Sequence, residues 1–134
     1  QADSAFGWSD QISEEFTIPS ANGSYEINDQ SDEIGFIYPD TLEIKCSAAG
    51  DLTIKNSIDA DRITTIKGCV KGEVITINGH TLEVTTSASR NVYDYFNFNY
   101  PRLVNSVLDT INTFSFSIPC TVKIAYTPVR KAVF

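Results

Sequence analysis

The chain has no methionine, one histidine (His80), one tryptophan (Trp8), three cysteines and few basic residues. Each shortage removes a class of protein. A bilayer helix needs about 18 or more consecutive apolar residues. No run approaches that length and no signal-type segment opens the chain, so no membrane partner is expected. Ten Lys and Arg stand against 17 Asp and Glu, a formal charge of −7, and the cations are scattered singly. Nucleic acid and anionic surfaces require a basic patch, so nucleic acid is not expected as a partner either. With no methionine even at position 1, the chain reads as a piece processed or excised from a longer one. Cys46, Cys69 and Cys120 are odd in number, widely spaced and without a Cys-x-x-Cys pair. That argues against a disulfide framework or thiolate metal site and predicts small buried hydrophobes in a reduced compartment.

Catalytic groupings are equally scarce. Hydrolase or transferase chemistry needs a nucleophile beside a base, two carboxylates in one pocket, or a metal with an open position. The sequence has no Gly-x-Ser-x-Gly and no phosphate-cradling glycine loop. Asp29, Asp32 and Glu33, and separately Asp59 and Asp61, lack the ordered spacing and central glycine of a calcium loop, and read as solvated acids. No catalytic residue, cofactor or metal site is assigned, and the chain is read as a non-enzyme. Asn22-Gly23-Ser24 fits a glycosylation acceptor and is read as a turn.

What is abundant is period-two alternation of apolar and polar residues, the mark of half-buried strands. Its length suits one domain, residues 1–134, with a core of its own. Leu42, Ile44 and Cys46 share one face, as do Leu52 and Ile54, and the AAGD between these runs predicts a hairpin. Phe114, Phe116 and Ile118 alternate with serines; Val122, Ile124 and Tyr126 alternate with Lys123 and Ala125. Pro119 between the last two runs forbids the positive φ of a two-residue hairpin and predicts a longer loop or bend. Asn78-Gly79 is the preferred pair for a type I′ turn. Counting outward from it pairs Ile77 with His80, Ile75 with Leu82 and Glu73 with Val84. Ile75, Ile77, Leu82 and Val84 would then share a face, with His80 at the tip. EEFTI and SYEIN add short strands. The fold class is all-β, a two-sheet antiparallel β-sandwich.

The stretch NVYDYFNFNYPRLVN, residues 91–105, places five aromatic rings within eight residues, from Tyr93 to Tyr100. A helical turn fits near RNVYDYFN. Phe96 and Phe98 alternate with Asn97 and Asn99 as core positions of a half-buried strand. Tyr100-Pro101 marks a corner, since proline imposes an extended residue before it, and Leu103 turns back into the core. Tyr93, Tyr95 and Tyr100 belong at the rim with wet hydroxyls. Two functions suit such a stretch. Trp8, Tyr93, Tyr95 or Tyr100 could stack on sugar rings in a carbohydrate-binding module; or the same residues could meet a protein partner, where tyrosine is enriched.

GEVITING, then NVYDYFNFNYPRLVN, then NTFSFSI and VKIAYTPVRKAVF follow one another in an order that resembles the C-terminal domain of the distal tail proteins of siphophages infecting Gram-positive bacteria. YPDTLEIKCS and GDLTIKN extend the resemblance to residues 36–134. It implies a galectin-like sandwich from a phage or prophage tail-tip hub, a virion structural component linking the tail tube to the host-adsorption apparatus and assembled in the host cytoplasm. It further implies contacts with other tail proteins: the tail tube, and a tail-associated lysin or receptor-binding protein. A missing N-terminal domain would form a homo-hexameric ring, leaving this domain alone as a monomer. Sugar binding does not carry over, because a galectin-type site needs a His, Asn, Arg and Trp constellation that this sequence lacks.

Overall fold

The structure, a computed structural model, describes residues 11–29, 35–59, 62–105 and 110–128. Two antiparallel sheets pack face to face. The first runs β1 (Ile12–Ile18), β11 (Cys120–Tyr126), β4 (Thr41–Cys46), β7 (Val74–Asn78) and β8 (Glu83–Thr86) in spatial order. The second runs β2 (Gly23–Asn28), β10 (Ile111–Phe116), β5 (Gly50–Asn56) and β6 (Ile63–Cys69). A short ribbon of β3 (Gly35–Ile37) and β9 (Leu103–Asn105) completes the strands among the described residues. The chain is therefore the all-β sandwich that the alternation demanded.

That alternation places the core as read. Leu42, Ile44, Cys46, Leu52, Ile54, Phe114, Phe116, Ile118, Val122, Ile124 and Tyr126 are all buried. Each large side chain so buried contributes roughly 1.5–3 kcal/mol of transfer free energy. Asn112 sits at a core-facing position of β10 and is wholly buried. Its Oδ1 accepts from Val104 N–H (2.8 Å) and from Asn56 Nδ2 (2.6 Å), and its Nδ2 donates to Val104 O (3.1 Å). The side chain thus acts as a length of strand backbone and ties the chain just after Pro101 to the second sheet.

The connectivity departs from the sequence reading in one place and follows it in another. β4 and β5 do not form a hairpin: they lie in opposite sheets, each paired with other strands. The passage from β10 to β11 also crosses between sheets, through the bend that Pro119 requires. The two corners lie side by side, with Ser47 N–H donating to Pro119 O at 2.9 Å. Alternation records which side chains face the core but carries no information on which of two facing sheets a strand joins.

The β7–β8 hairpin exists in a different register. Asn78 pairs with Glu83, Ile77 with Val84 and Ile75 with Thr86. Residues 79–82 form a four-residue loop in place of the two-residue turn, and Leu82 is expelled from the core face to 40 % exposure. The cause is tertiary. A Cβ at Gly79 would lie 1.9 Å from Pro39 O, so the glycine is needed for close passage against the chain entering β4. Asn78 Oδ1 then accepts from His80 N–H (2.8 Å) and Thr81 N–H (3.2 Å).

Candidate functional site

The stretch from Asn91 to Arg102 closes one long edge of the sandwich, where β8 and β6 are the outermost strands. An edge strand presents unpaired backbone groups that invite aggregation unless they are covered. Asn91 caps a 3-10 turn, Val92–Asp94, through an Oδ1 contact from Tyr93 N–H, as the helical-turn reading anticipated. Val92 is buried and Tyr93 Oη accepts from Val84 N–H on β8 at 2.8 Å. The chain then runs along β6. Lys67 N–H donates to Tyr95 O (3.0 Å), Asn97 N–H donates to Thr65 O (3.1 Å), and Phe96 bridges to Ile66. Asn97 answers the remaining groups with its side chain, accepting from Thr65 N–H at 3.1 Å and donating to Ile63 O at 2.7 Å. The asparagines that alternate with the phenylalanines are therefore edge caps.

The aromatic rings form one connected series. Ring contacts run Phe36–Tyr38 (5.6 Å), Tyr38–Tyr100 (6.4 Å), Tyr100–Phe96 (5.1 Å), Phe96–Phe98 (5.3 Å) and Phe98–Tyr93 (5.8 Å). Phe96 is buried as expected. Phe98 is not: its backbone adopts φ 62° and its ring is 56 % exposed. The alternation that made it a core residue fails because this segment is a capped loop with a single bridge, and the left-handed residue reverses the side-chain direction. Tyr100 donates its hydroxyl to Leu82 O at 2.6 Å and is half-buried; Leu103 returns to the core. Tyr95 is 46 % exposed with the Arg90 guanidinium 5.1 Å from its ring centroid. Of the tyrosine hydroxyls expected to be wet, those of Tyr93 and Tyr100 instead bind β8 and the loop before it. Trp8 lies outside the described residues.

Two ion pairs fasten the seam. Glu73, whose side chain is fully buried, accepts from Arg90 Nη2 (2.8 Å), Arg90 Nε (3.0 Å), Val70 N–H (3.1 Å) and the Thr86 hydroxyl. Burial would raise its pKa, but the hydrogen bonds from Thr86, Arg90 and Val70 outweigh it and hold the carboxyl below its ordinary value. Arg90 also donates to Lys67 O at 2.7 Å, so one guanidinium joins the entry to β7, the β6 edge and the Tyr95 ring. Arg102 grips Asp59 with two bonds of 2.7 and 2.9 Å while its guanidinium lies 4.2 Å from the Phe36 centroid. Asp59 is thus a structural ion-pair partner, and Asp29 is buried; neither is the solvated acid the sequence implied. Asp32, Glu33 and Asp61 lie outside the described residues.

His80 and the three cysteines are engaged structurally. His80 Nε2 lies 2.9 Å from Asp40 Oδ1, and Asp40 Oδ2 also accepts from Thr127 (2.7 Å) and Gln11 (2.9 Å), which ties the hairpin tip to β1 and β11. The three cysteines are free and buried. Cys46 and Cys120 are cross-strand partners, and Cys46 shares a thiol hydrogen bond with Cys69 that raises its pKa. Burial pushes the Cys120 thiol up to about 12, so both stay protonated and unreactive. Among the described residues no group of His, Cys, Asp and Glu is arranged to hold a metal. The outer face of the five-stranded sheet carries a concavity of about 540 Å³ lined by Ser13, Glu15, Thr41, Glu43 and Lys123 among others, and no aromatic ring lines it.

A family model described as a phage tail C-terminal domain matches residues 6–126. Among solved structures, the chain is similar to the Dit (gp 19.1) protein of phage SPP1, described as a paradigm of the hub adsorption apparatus in phages infecting Gram-positive hosts. The match has a TM-score of 0.61 at 7 % identity and covers 90 % of this chain. The chain spans 47 % of that protein's length. No curated protein matches the sequence.

Proposed function

We propose, from the premise that this chain belongs to the phage tail C-terminal domain family, that it is the C-terminal domain of a distal tail protein in a tail-tip hub. As a member of that family it is a phage tail component that works in the virion through contacts with other tail proteins. The finer role is to link the tail tube to the host-adsorption apparatus. The observation that carries it is the shared sandwich, which covers 90 % of this chain yet only 47 % of a hub protein. The rest of such a protein would supply a ring-forming domain, so the full-length protein is a homo-hexamer assembled in the host cytoplasm and this domain alone is a monomer. Its neighbours are the tail tube and a tail-associated lysin or receptor-binding protein. The role asks for shape and rigidity rather than catalysis, and the pairing of buried Glu73 with Arg90 and the half-buried Asp59–Arg102 pair serve that demand.

Deleting this domain from the phage gene and imaging the particles tests the reading. Loss of the adsorption device or of infectivity is the expected result; normal tails that infect normally would overturn it. Light scattering of the isolated domain at micromolar concentration should give a monomer, and a stable hexamer would refute the division of labour between the two domains.

A second reading, binding of host-wall polysaccharide, draws on one observation. Tyr95 leaves nearly half of its surface open beside a shallow groove lined by Lys67, Asp94 and Asn97. A glycan array separates the two, since a scaffold gives no specific hit.

A further inference from the structure

We infer that the exposed aromatic ridge on the sealed edge, with Phe98 at its apex, is the face by which this domain docks a neighbouring tail protein, and that the partner offers an apolar pocket that receives the Phe98 ring. This rests on the tail-hub reading and adds to it the docking surface and the chemistry of what fits there.

Two bulky apolar residues, Phe98 (φ 62°) and Leu82 (φ 54°), hold left-handed backbone conformations on this edge. For an L-residue that region is costly, and glycine adopts it freely. Leu82 and Phe98 nonetheless stand where a glycine would relieve the backbone, and each turns outward, 40 % and 56 % exposed. A strained conformation that buried its side chain would be repaid by packing. One that exposes an apolar ring to water instead points to a function. Both residues are held firmly: Tyr100 donates to Leu82 O, while Phe98 lies against the rings of Tyr93 and Phe96. Phe36, itself 50 % exposed, extends the ridge through Tyr38 and Tyr100, with Arg102 against its face. Exposed rings with arginine at their border are the composition of interface hot spots.

Charge identifies the occupant. The described residues between 59 and 105, which build this edge, carry four acidic and five basic side chains, so the acidic excess of the chain lies elsewhere. A partner approaching here meets little net charge, and contact is governed by burial of the rings. Phe98, Leu82 and Phe36 offer no side-chain hydrogen-bonding groups to a sugar, so the ridge suits an apolar protein pocket rather than a glycan. Unlike a contact steered by charge, such docking should resist salt.

The test uses whole particles. Phage carrying a benzoylphenylalanine photocrosslinker in place of Phe98 are purified, irradiated and analysed by mass spectrometry. A crosslink to a tail polypeptide other than this one is expected; crosslinks only between copies of this chain, only to wall polysaccharide, or none at all would overturn the proposal. In parallel, particles with Leu82→Asp and Phe98→Asp together should lose that polypeptide, while the same substitutions leave the urea midpoint of the isolated domain unchanged. A high-salt wash of wild-type particles should not release it, and release by salt would count against ring burial as the cause. If deleting the whole domain abolishes adsorption but the doubly substituted particles stay complete and infectious, the ridge is not the docking face and the hub reading survives. If the deletion itself is harmless, both fall.

Discussion

The two long edges of the sandwich meet the same problem with different means. At the β6–β8 edge, the segment from Asn91 to Arg102 is laid along the outer strands, and its carbonyls, amides and asparagine side chains satisfy the β6 backbone. At the β1–β2 edge no described strand pairs further, and the exposed strand faces carry Glu15 and Glu26. There Tyr25 stacks on Phe16 at 3.9 Å and donates its hydroxyl to Glu14 at 2.8 Å, closing the gap between sheets with one ring. Charge on an edge strand discourages pairing with another chain by repulsion, whereas a covering segment removes the free backbone groups altogether. The first solution adds little chain and leaves a negative edge. The second orders a dozen residues, and in exchange fixes a set of side chains that can face a partner in a defined geometry.

If the seam is structural as well as a platform, its inner residues should be expensive to change and its outer ones cheap. The largest loss is expected from Phe96→Ala, about 3–5 kcal/mol in urea unfolding, as for other emptied phenylalanine sites. A loss below about 1 kcal/mol would mean that the segment is draped over the edge without sealing it. Glu73→Gln should cost about 3 kcal/mol, because it strips Arg90 of its buried partner.

The same carboxylate has a pH signature. Its folded pKa lies below the ordinary value of 4.5, so the stabilisation is present above that value and is lost as pH falls through the folded pKa. Urea midpoints should fall below about pH 4.5 in the wild type, and more shallowly in Glu73→Gln. An identical acid profile for the two proteins would remove Glu73 from the explanation.

Smaller effects sharpen the contrast between edges. Tyr93→Phe leaves the Val84 N–H without its acceptor and should cost about 1–2 kcal/mol. Tyr25→Phe, on the open edge, should leave the unfolding midpoint nearly unchanged, because Glu14 stays accessible to water. Equal losses at the two hydroxyls would erase the distinction between sealed and open edges. A small effect is also expected of Phe98→Gly, where relief of the left-handed backbone offsets the lost ring contacts and stability stays within about 1 kcal/mol of wild type. A large loss there would make Phe98 a core residue after all and would remove the ground for treating it as a docking knob.

Much of the candidate site was legible in the sequence. The 3-10 turn, the burial of Phe96, the corner at Tyr100-Pro101 and the return of Leu103 followed from spacing and from the conformational limits of proline. Phe98 was misjudged because period two holds only while a strand continues, and Asn97 ends the strand-like contact by capping β6 with its side chain. Glu73 and Asn112 had no local signal of their roles. They stood in the Gly-Glu and Asn-Thr motifs through which the resemblance to tail proteins was drawn, yet a buried carboxylate needs its arginine, and Arg90 lies 17 residues away. The asparagine needs Val104, brought to it only when β9 returns along β10.

What the sequence determined by itself was the inward face of nearly every strand, the all-β class and the bend at Pro119, because side-chain alternation and proline's fixed φ act within a few residues. What only the tertiary structure decided was sheet membership and register. Whether β5 pairs with β4 or crosses to the facing sheet leaves the same residues buried, so alternation is blind to it. The β7–β8 loop lengthens from two residues to four because Gly79 must pass against Pro39, a contact between segments 40 residues apart. The exposed ridge is a product of that second level. It exists because closing the β6–β8 edge forces Phe98 into a left-handed conformation and the hairpin register does the same to Leu82, and neither constraint is written in the residues next to them.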